Sequence, residues 1–326
     1  MIDTALILAA GLGARLAPLS AIRAKAALPV AGEAIIRRQV RWLVAAGVRR
    51  VIVNLHHLPA TVTAVLGHGD DLGVAVRYSW EPHVLGSAGG PRQAFDLLDG
   101  DRLVVVNGDT ITDLDLPALV VAHERLRPLV TMAVLSPRPG YNALLVDGAG
   151  CFAGVRRADA GSDGEPAGLQ AVHFMGVQVV DRRAFAGVAP GTPAETIKSL
   201  YPQLVGSDPT AVRGWRSDAS FFDVGTPAEY LRTTQAIAAR LGLPLDRGPG
   251  TQVHATAEVI GSVLWNDVRV SAGASVRDCV LADGVTVPPG ATLEHATVVR
   301  RADRVPAVND VALGEVVVVP FGAAAK

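Results

Sequence analysis

The sequence predicts a doubly wound α/β domain, built on a mostly parallel sheet, followed by a short parallel β-helix. Three observations carry that expectation. Apolar, strand-like runs alternate with helical patterns up to about residue 130, the signature of right-handed crossovers between parallel strands. The first of these runs enters a glycine turn, Gly11-Leu12-Gly13. After Gly248-Pro249-Gly250 the helical period disappears and small apolar residues recur six apart, as on the flat sides of a β-helix. The expected division is residues 1–247 for the α/β domain and 251–326 for the tail.

Taken in chain order, Ala5-Leu6-Ile7-Leu8-Ala9-Ala10 reads as a buried strand. Ile36, Val40, Leu43 and Val44 fall at helical spacing, Gly47 stops the pattern, and Val51-Ile52-Val53 returns as a strand. Pro59 to Leu66 and Gly90 to Leu98 read as helices, Val74 to Tyr78 and Leu103 to Val106 as strands. Val130 to Leu135, Ala143 to Val146 and Phe174 to Val180 form a less regular set of strands, closed by a helix from Pro227 to Leu241. In the tail, Val270 and Val276, Ala274 and Val280, Val285 and Ala291, and Val287 and Leu293 mark the six-residue step, with Gly273, Gly284 and Gly290 at the corners. Two or three coils fit.

Composition narrows the function. The 326 residues are 49% hydrophobic, enough for a large core and more than one domain. A net charge of -1 and a pI near 6.7 argue against nucleic acid or an anionic membrane as partner, leaving small anionic substrates. Cys151 and Cys279 cannot build a disulfide framework and read as small buried hydrophobes. Asp3 and the short apolar run exclude a signal peptide and a membrane helix, so a cytoplasmic protein is expected.

Three groups point to phosphate chemistry. The Gly11 to Gly13 turn can face phosphates with its backbone N–H groups alone. Asp109, in Asn107-Gly108-Asp109, lies past the carboxyl end of a strand, where open α/β sheets bind ligands and a carboxylate can hold a divalent metal. Of 30 Lys plus Arg residues only Lys25, Lys198 and Lys326 are lysines, so arginine is the generic cation of this chain. Lys25 is therefore either a solvated surface residue or a point charge at a crowded phosphate centre, a role in which arginine cannot replace it.

Leu8-Ala9-Ala10-Gly11-x-Gly13-x-Arg15-Leu16-x-Pro18-Leu19, with Lys25 and Leu28-Pro29-Val30 following, resembles the signature of the sugar-phosphate nucleotidylyltransferases. Four further matches keep the family's order: Leu85-Gly86-Ser87-Ala88-Gly89-Gly90, Asn107-Gly108-Asp109, Phe174-Met175-Gly176-Val177, and Phe222-Asp223-Val224-Gly225-Thr226-Pro227-x-Glu229-Tyr230. The resemblance spans residues 4 to about 235. A dinucleotide-binding Rossmann loop would have a third glycine where Leu16 stands. The resemblance implies a Rossmann-like nucleotidyltransferase domain that condenses a nucleoside triphosphate with a sugar 1-phosphate, releasing pyrophosphate. Attack of one phosphate on another is opposed by charge, so catalysis should be mainly positioning and neutralisation.

Carried onto this chain, the resemblance implies that Ala9, Ala10, Gly11 and Gly13, together with Glu81 and the loop Gly86, Ser87, Ala88 and Gly89, meet the nucleotide. Arg15 would neutralise the leaving pyrophosphate and Lys25 would bridge the reacting phosphates. Asp109 and Asp223 would hold Mg²⁺; the bland alternatives are a turn residue for Asp109 and a helix cap for Asp223. Gly108, Gly140, Asn142, Gly176, Glu195 and Lys198 would serve the sugar phosphate. One departure stands out: many members carry a Glu-Lys pair before the strand of Gly176, where this chain has Arg156-Arg157 and Glu165-Pro166. Either an arginine replaces that lysine, or Lys198 reaches in, or the phosphate is held differently.

The loop and the tail together look most like mannose-1-phosphate guanylyltransferases, whose left-handed β-helix serves packing or homo-oligomerisation. Uridylyltransferases of amino sugars share a similar loop and form the alternative. A non-catalytic homologue would have lost site residues, and Arg15, Lys25, Asp109 and Asp223 are all present. An acyltransferase reading of the tail has only His254 and His295 to draw on and little cleft in so few coils. His56-His57 reads as a hydrogen-bonded loop pair.

Overall fold

The computed structural model describes residues 2–158, 166–304 and 306–322; Glu165 and Lys326 lie outside the described residues. The chain packs as two compact units, one made of Met1–Gly11, Gln39–His57 and Leu66–Phe221, the other of Leu12–Arg38, Leu58–Val65 and Phe222–Lys326. Packing therefore does not follow chain order: the segment after the first glycine belongs with the tail.

The first unit is built on a nine-stranded sheet: β1 (Thr4–Leu8), β2 (Arg50–Leu55), β3 (Ala75–Trp80), β4 (Arg102–Asn107), β5 (Val130–Leu135), β6 (Ala143–Asp147), β7 (Phe152–Arg156), β8 (Leu169–Asp181) and β9 (Val212–Arg216). The main path runs β7-β6-β8-β4-β1-β2-β3, with β5 beside β8 and β9 beside β5. The β1 to β4 segments pair in parallel, as their alternation with helices requires. Leu6 and its neighbours Ala5 and Ile7 are all fully buried, so both faces of this half are covered.

The other half is antiparallel around β8, which runs against β4, β5 and β6. At 13 residues this strand is longer than the apolar run from Phe174 predicts. Its first part pairs with β6 and its last part with β4, while its pairing with β5 shifts register between Phe174 and Gln178. The helix expected from Gly90 starts at Gly86 instead and passes into a 3₁₀ turn over Ala94–Leu97.

In the second unit the tail forms three parallel ladders. Val253, Val270 and Val287 pair in successive coils, as do Val259, Val276 and Leu293. Each coil is thus 17 residues long, with two six-residue sides and one of five. The five-residue side turns at Gly261, Asp278 and His295, all with positive φ, as do Gly250, Asp267 and Gly284 at the next corner. Val270, Val276, Leu281, Val287, Leu293 and Val298 fill the interior. Val316–Pro320 closes the last coil by pairing antiparallel with Ala296–Arg300. Cys151 and Cys279 are buried thiols, and burial pushes that of Cys279 up to about 11. Among the described residues no helix is long and apolar enough to cross a membrane.

Candidate active site

In the first unit, Asn107-Gly108-Asp109 sits at the carboxyl end of β4 on a turn that is held from three sides. The Gly108 N–H donates to the Leu8 carbonyl at 2.9 Å. A Cβ on Gly108 would come within 2.5 Å of that oxygen, so only glycine lets the two strand ends meet. The Gln39 amide donates to the carbonyls of Asn107 (2.7 Å) and Thr110 (2.8 Å). The Thr110 hydroxyl donates to the Met175 carbonyl at 3.1 Å. Asp109 is half-buried on this turn.

A second group braces the nucleotide-side loops. Asn54 accepts the Ala9 N–H at 2.7 Å and donates to one oxygen of Glu81 at 2.6 Å; the other Glu81 oxygen accepts the Leu85 N–H at 2.9 Å. Glu81 is fully buried with both oxygens engaged, so it holds the loops rather than facing a nucleotide as the resemblance implied. Its carbonyl lies 2.9 Å from His56 Nδ1, which makes His56 a hydrogen-bonded loop residue. Ala88 and Gly89 also differ from expectation, because both are buried and their N–H groups donate to the Ala194 carbonyl. Gly86, with φ of +76°, and Ser87 remain half-buried at the entrance to that helix. A Cβ on Gly86 would stand 2.7 Å from the same carbonyl.

A cavity of about 1050 Å³ gathers Ser87, Asn142, Glu195 and Lys198 from the expected set, together with Asn107, Arg157 and His173. Ser87 Oγ donates to Glu195 at 2.8 Å and accepts the Thr196 N–H at 2.9 Å. Lys198 stands on a π-helical turn, Thr196–Leu200. Arg157 and Lys198 both line the cavity, so the two cations weighed for the sugar phosphate share one wall system. Gly108, Gly140 and Gly176 do not line it; Gly108 and Gly140 shape the turns beside Asp109 and Asn142, and Gly176 lies in β8 at its register shift.

His173 was missed by the sequence reading. It is 7% exposed, neither ring nitrogen has a hydrogen-bond partner, and burial with the nearby Arg138 charge pushes its pKa down to about 4. The imidazole is neutral at pH 7 and meets Tyr141 and Phe221 edge-on or tilted at 5.0 and 5.3 Å. A polar residue inside the apolar run from Ala171 to Val177 was its only signal.

In the second unit, Gly13 takes φ of +63° and opens the short turn Ala14–Leu16 that carries Arg15. A Cβ on Gly225 would come within 3.3 Å of Arg15 Nη1 and 2.5 Å of a Glu229 oxygen, so glycine in the Asp-Val-Gly-Thr-Pro run makes room for that guanidinium. Lys25 Nζ lies 4.0 Å from Asp223 Oδ1, and the two side chains are only 17% and 15% exposed. Lys25 is therefore no solvated surface lysine. Asp223 is not the cap of the following helix either: Thr226 is, accepting the Glu229 N–H at 3.2 Å. Asp109 and Asp223 offer the carboxylate oxygens that hard divalent cations prefer. Among the described residues no group of three or more His, Cys, Asp or Glu could hold a metal ion by itself.

A nucleotidyl transferase family model matches residues 4–139, and a GlmU-like, C-terminal hexapeptide model matches residues 248–314. The chain belongs to the nucleotidyl transferase family and is a sugar-1-phosphate nucleotidylyltransferase. It is similar to the mannose-1-phosphate guanylyltransferase of Mycobacterium tuberculosis, at 28% identity over 89% of this chain and 83% of the relative. It is also similar to the N-acetylmuramate alpha-1-phosphate uridylyltransferase of Neisseria meningitidis, at 33% identity over 72% of this chain and 97% of the relative. HddC from Yersinia pseudotuberculosis shares the fold, with a TM-score of 0.62 at 18% identity over 72% of this chain and 100% of that one. Enzymes of this family generally use a divalent metal.

Proposed function

We propose that this enzyme joins GTP to mannose 1-phosphate, or a closely related sugar 1-phosphate, and releases pyrophosphate. The observation that carries this reading is the likeness to a mannose-1-phosphate guanylyltransferase over 89% of the chain. The uridylyltransferase likeness covers 72%. Its higher identity favours a second reading, in which UTP and an acidic amino-sugar 1-phosphate are the substrates, and the pairing of Arg157 with Lys198 in one cavity suits such a substrate.

In this reading the N–H groups of the Gly11 to Gly13 turn cradle the triphosphate and Arg15 neutralises the leaving pyrophosphate. Lys25, half-buried beside Asp223, draws the reacting phosphates together. Arg157 or Lys198 grips the sugar phosphate, and Asn142 and Glu195 orient the sugar. From the resemblance, Asp109 and Asp223 are the proposed ligands of Mg²⁺, which would supply neutralisation of phosphate charge. We further propose a cytoplasmic homo-oligomer assembled through the β-helix, to be checked by light scattering of the full chain.

The test is a pyrophosphate-release screen of GTP, UTP, ATP, CTP and dTTP against the 1-phosphates of mannose, glucose, N-acetylglucosamine and N-acetylmuramate. The highest kcat/KM is expected for GTP with mannose 1-phosphate. A preference for UTP with an amino sugar moves the assignment to the second reading, and silence across the panel rejects both.

A further inference from the structure

The segment that carries Lys25 is tied down at both ends, to the tail directly at Arg23 and through Tyr230 at Pro29. Two residues before Lys25, the Arg23 guanidinium forks onto Asp283, Nε to Oδ2 at 2.8 Å and Nη2 to Oδ1 at 2.6 Å. Its Cζ also lies 4.8 Å from the ring centroid of Trp265. Asp283 is itself oriented, because its Oδ1 accepts the Asn266 N–H at 3.0 Å. Trp265 is almost wholly buried and donates to the Tyr230 hydroxyl at 3.0 Å, which in turn donates to the Pro29 carbonyl at 2.5 Å. A third tie follows a few residues on, where the Gly32 N–H donates to Asp246. Between the anchors at Arg23 and Pro29 the chain makes a 3₁₀ turn, Lys25–Ala27, with the Ala24 N–H on Thr61 Oγ1.

We propose that the β-helical tail positions Lys25, with Asp283 and Trp265 holding Arg23 so that the lysine ammonium is fixed where the phosphates react. The inference rests on the role given to Lys25 above. A planar guanidinium bound by two parallel hydrogen bonds and stacked on an indole loses its freedom to rotate, which a single contact would leave. The fork is also partly shielded, at 16% and 28% side-chain exposure, so salt screens it less than an open surface pair. Residues 23 and 283 are 260 positions apart. The tail thus has a task within the single chain, separate from any part in assembly.

The experiment uses the full-length enzyme with GTP and mannose 1-phosphate, or the best pair from the screen. Asp283→Ala is expected to lower kcat about tenfold to a hundredfold, the scale of a misplacement near 1 Å, while both KM values move less than twofold. Asp283→Glu, which keeps the carboxylate, should recover most of the loss. Lys25→Ala combined with Asp283→Ala should be no slower than Lys25→Ala alone, since both act through one ammonium. Hydrogen exchange across residues 19–30 should quicken in Asp283→Ala, and Asp283→Asn serves as the isosteric variant should Asp283→Ala fold poorly. Losses that multiply in the double variant, an unchanged kcat, or unchanged exchange in that segment each overturn the proposal alone. A wild-type enzyme silent on the whole panel overturns the functional reading and this inference with it.

Discussion

Alanine at Gly176 tests whether the turn bearing Asp109 is held by packing from β8. Gly176 has φ of +78°, and an alanine there pays about 1–2 kcal/mol for the left-handed backbone alone. Its new Cβ would stand 2.4 Å from Thr110 Oγ1 and 2.9 Å from Asn107 Nδ2. Relief requires the Thr110 side chain to move by about 1 Å, which breaks its hydrogen bond to Met175 at a further ~0.5–1.5 kcal/mol. The expected destabilisation is about 2–3 kcal/mol. Gly100→Ala is the matched control, since φ there is +96° and nothing lies within 4 Å of its Cβ; it carries the backbone strain without the collision. Urea midpoints followed by circular dichroism read the stability. Pyrophosphate release reads the turn: displacing the residues on either side of Asp109 should cost roughly a hundredfold in kcat, while Gly100→Ala keeps wild-type turnover. A Gly176→Ala enzyme that matches Gly100→Ala in both measurements would falsify the argument that this contact holds the turn.

Lys25→Arg should fold normally yet lose most of its turnover, about a hundredfold, because a longer planar cation cannot occupy the confined place beside Asp223; single-turnover rates at saturating nucleotide equal to wild type would return Lys25 to a generic charge. Asp109→Asn and Asp223→Asn should each lower kcat by at least about a hundredfold, and chelation should abolish activity; near-normal turnover in a folded variant removes that residue from the metal assignment. Burial holds His123 and His173 near a pKa of about 4, against about 6.5 when unfolded. The unfolded chain therefore binds more protons between those values, so stability is complete above pH 6.5 and declines as pH falls toward 4, by about 1–3 kcal/mol for each histidine. Thermal melts from pH 7.5 to 5 should show that decline and His173→Phe should flatten it; a wild-type melting temperature constant across the range contradicts the assignment.

Short-range features were legible in the chain itself. The apolar run and glycine turn at Ala5 to Gly13, the placement of Asp109 after a strand, and the apolar step of the tail follow from local backbone geometry, where period and turn chemistry act over a few residues. The scarcity of lysine in an arginine-rich chain already marks Lys25, with Lys198 and Lys326, as unusual. Tertiary structure decided what long-range pairing controls. The 17-residue coil, with its five-residue side, is fixed by the pairing of successive coils, which no apolar period announces. Glu81 reads as a ligand residue in sequence and becomes a buried brace because Asn54 and Leu85 occupy its oxygens. His173 enters the cavity, and Arg23 reaches Asp283, only once strands and coils far apart in the chain are packed together. A side chain's residue type limits the bonds it can make, but its burial and its partner are properties of the folded chain, since both depend on which distant backbone comes within 3 Å.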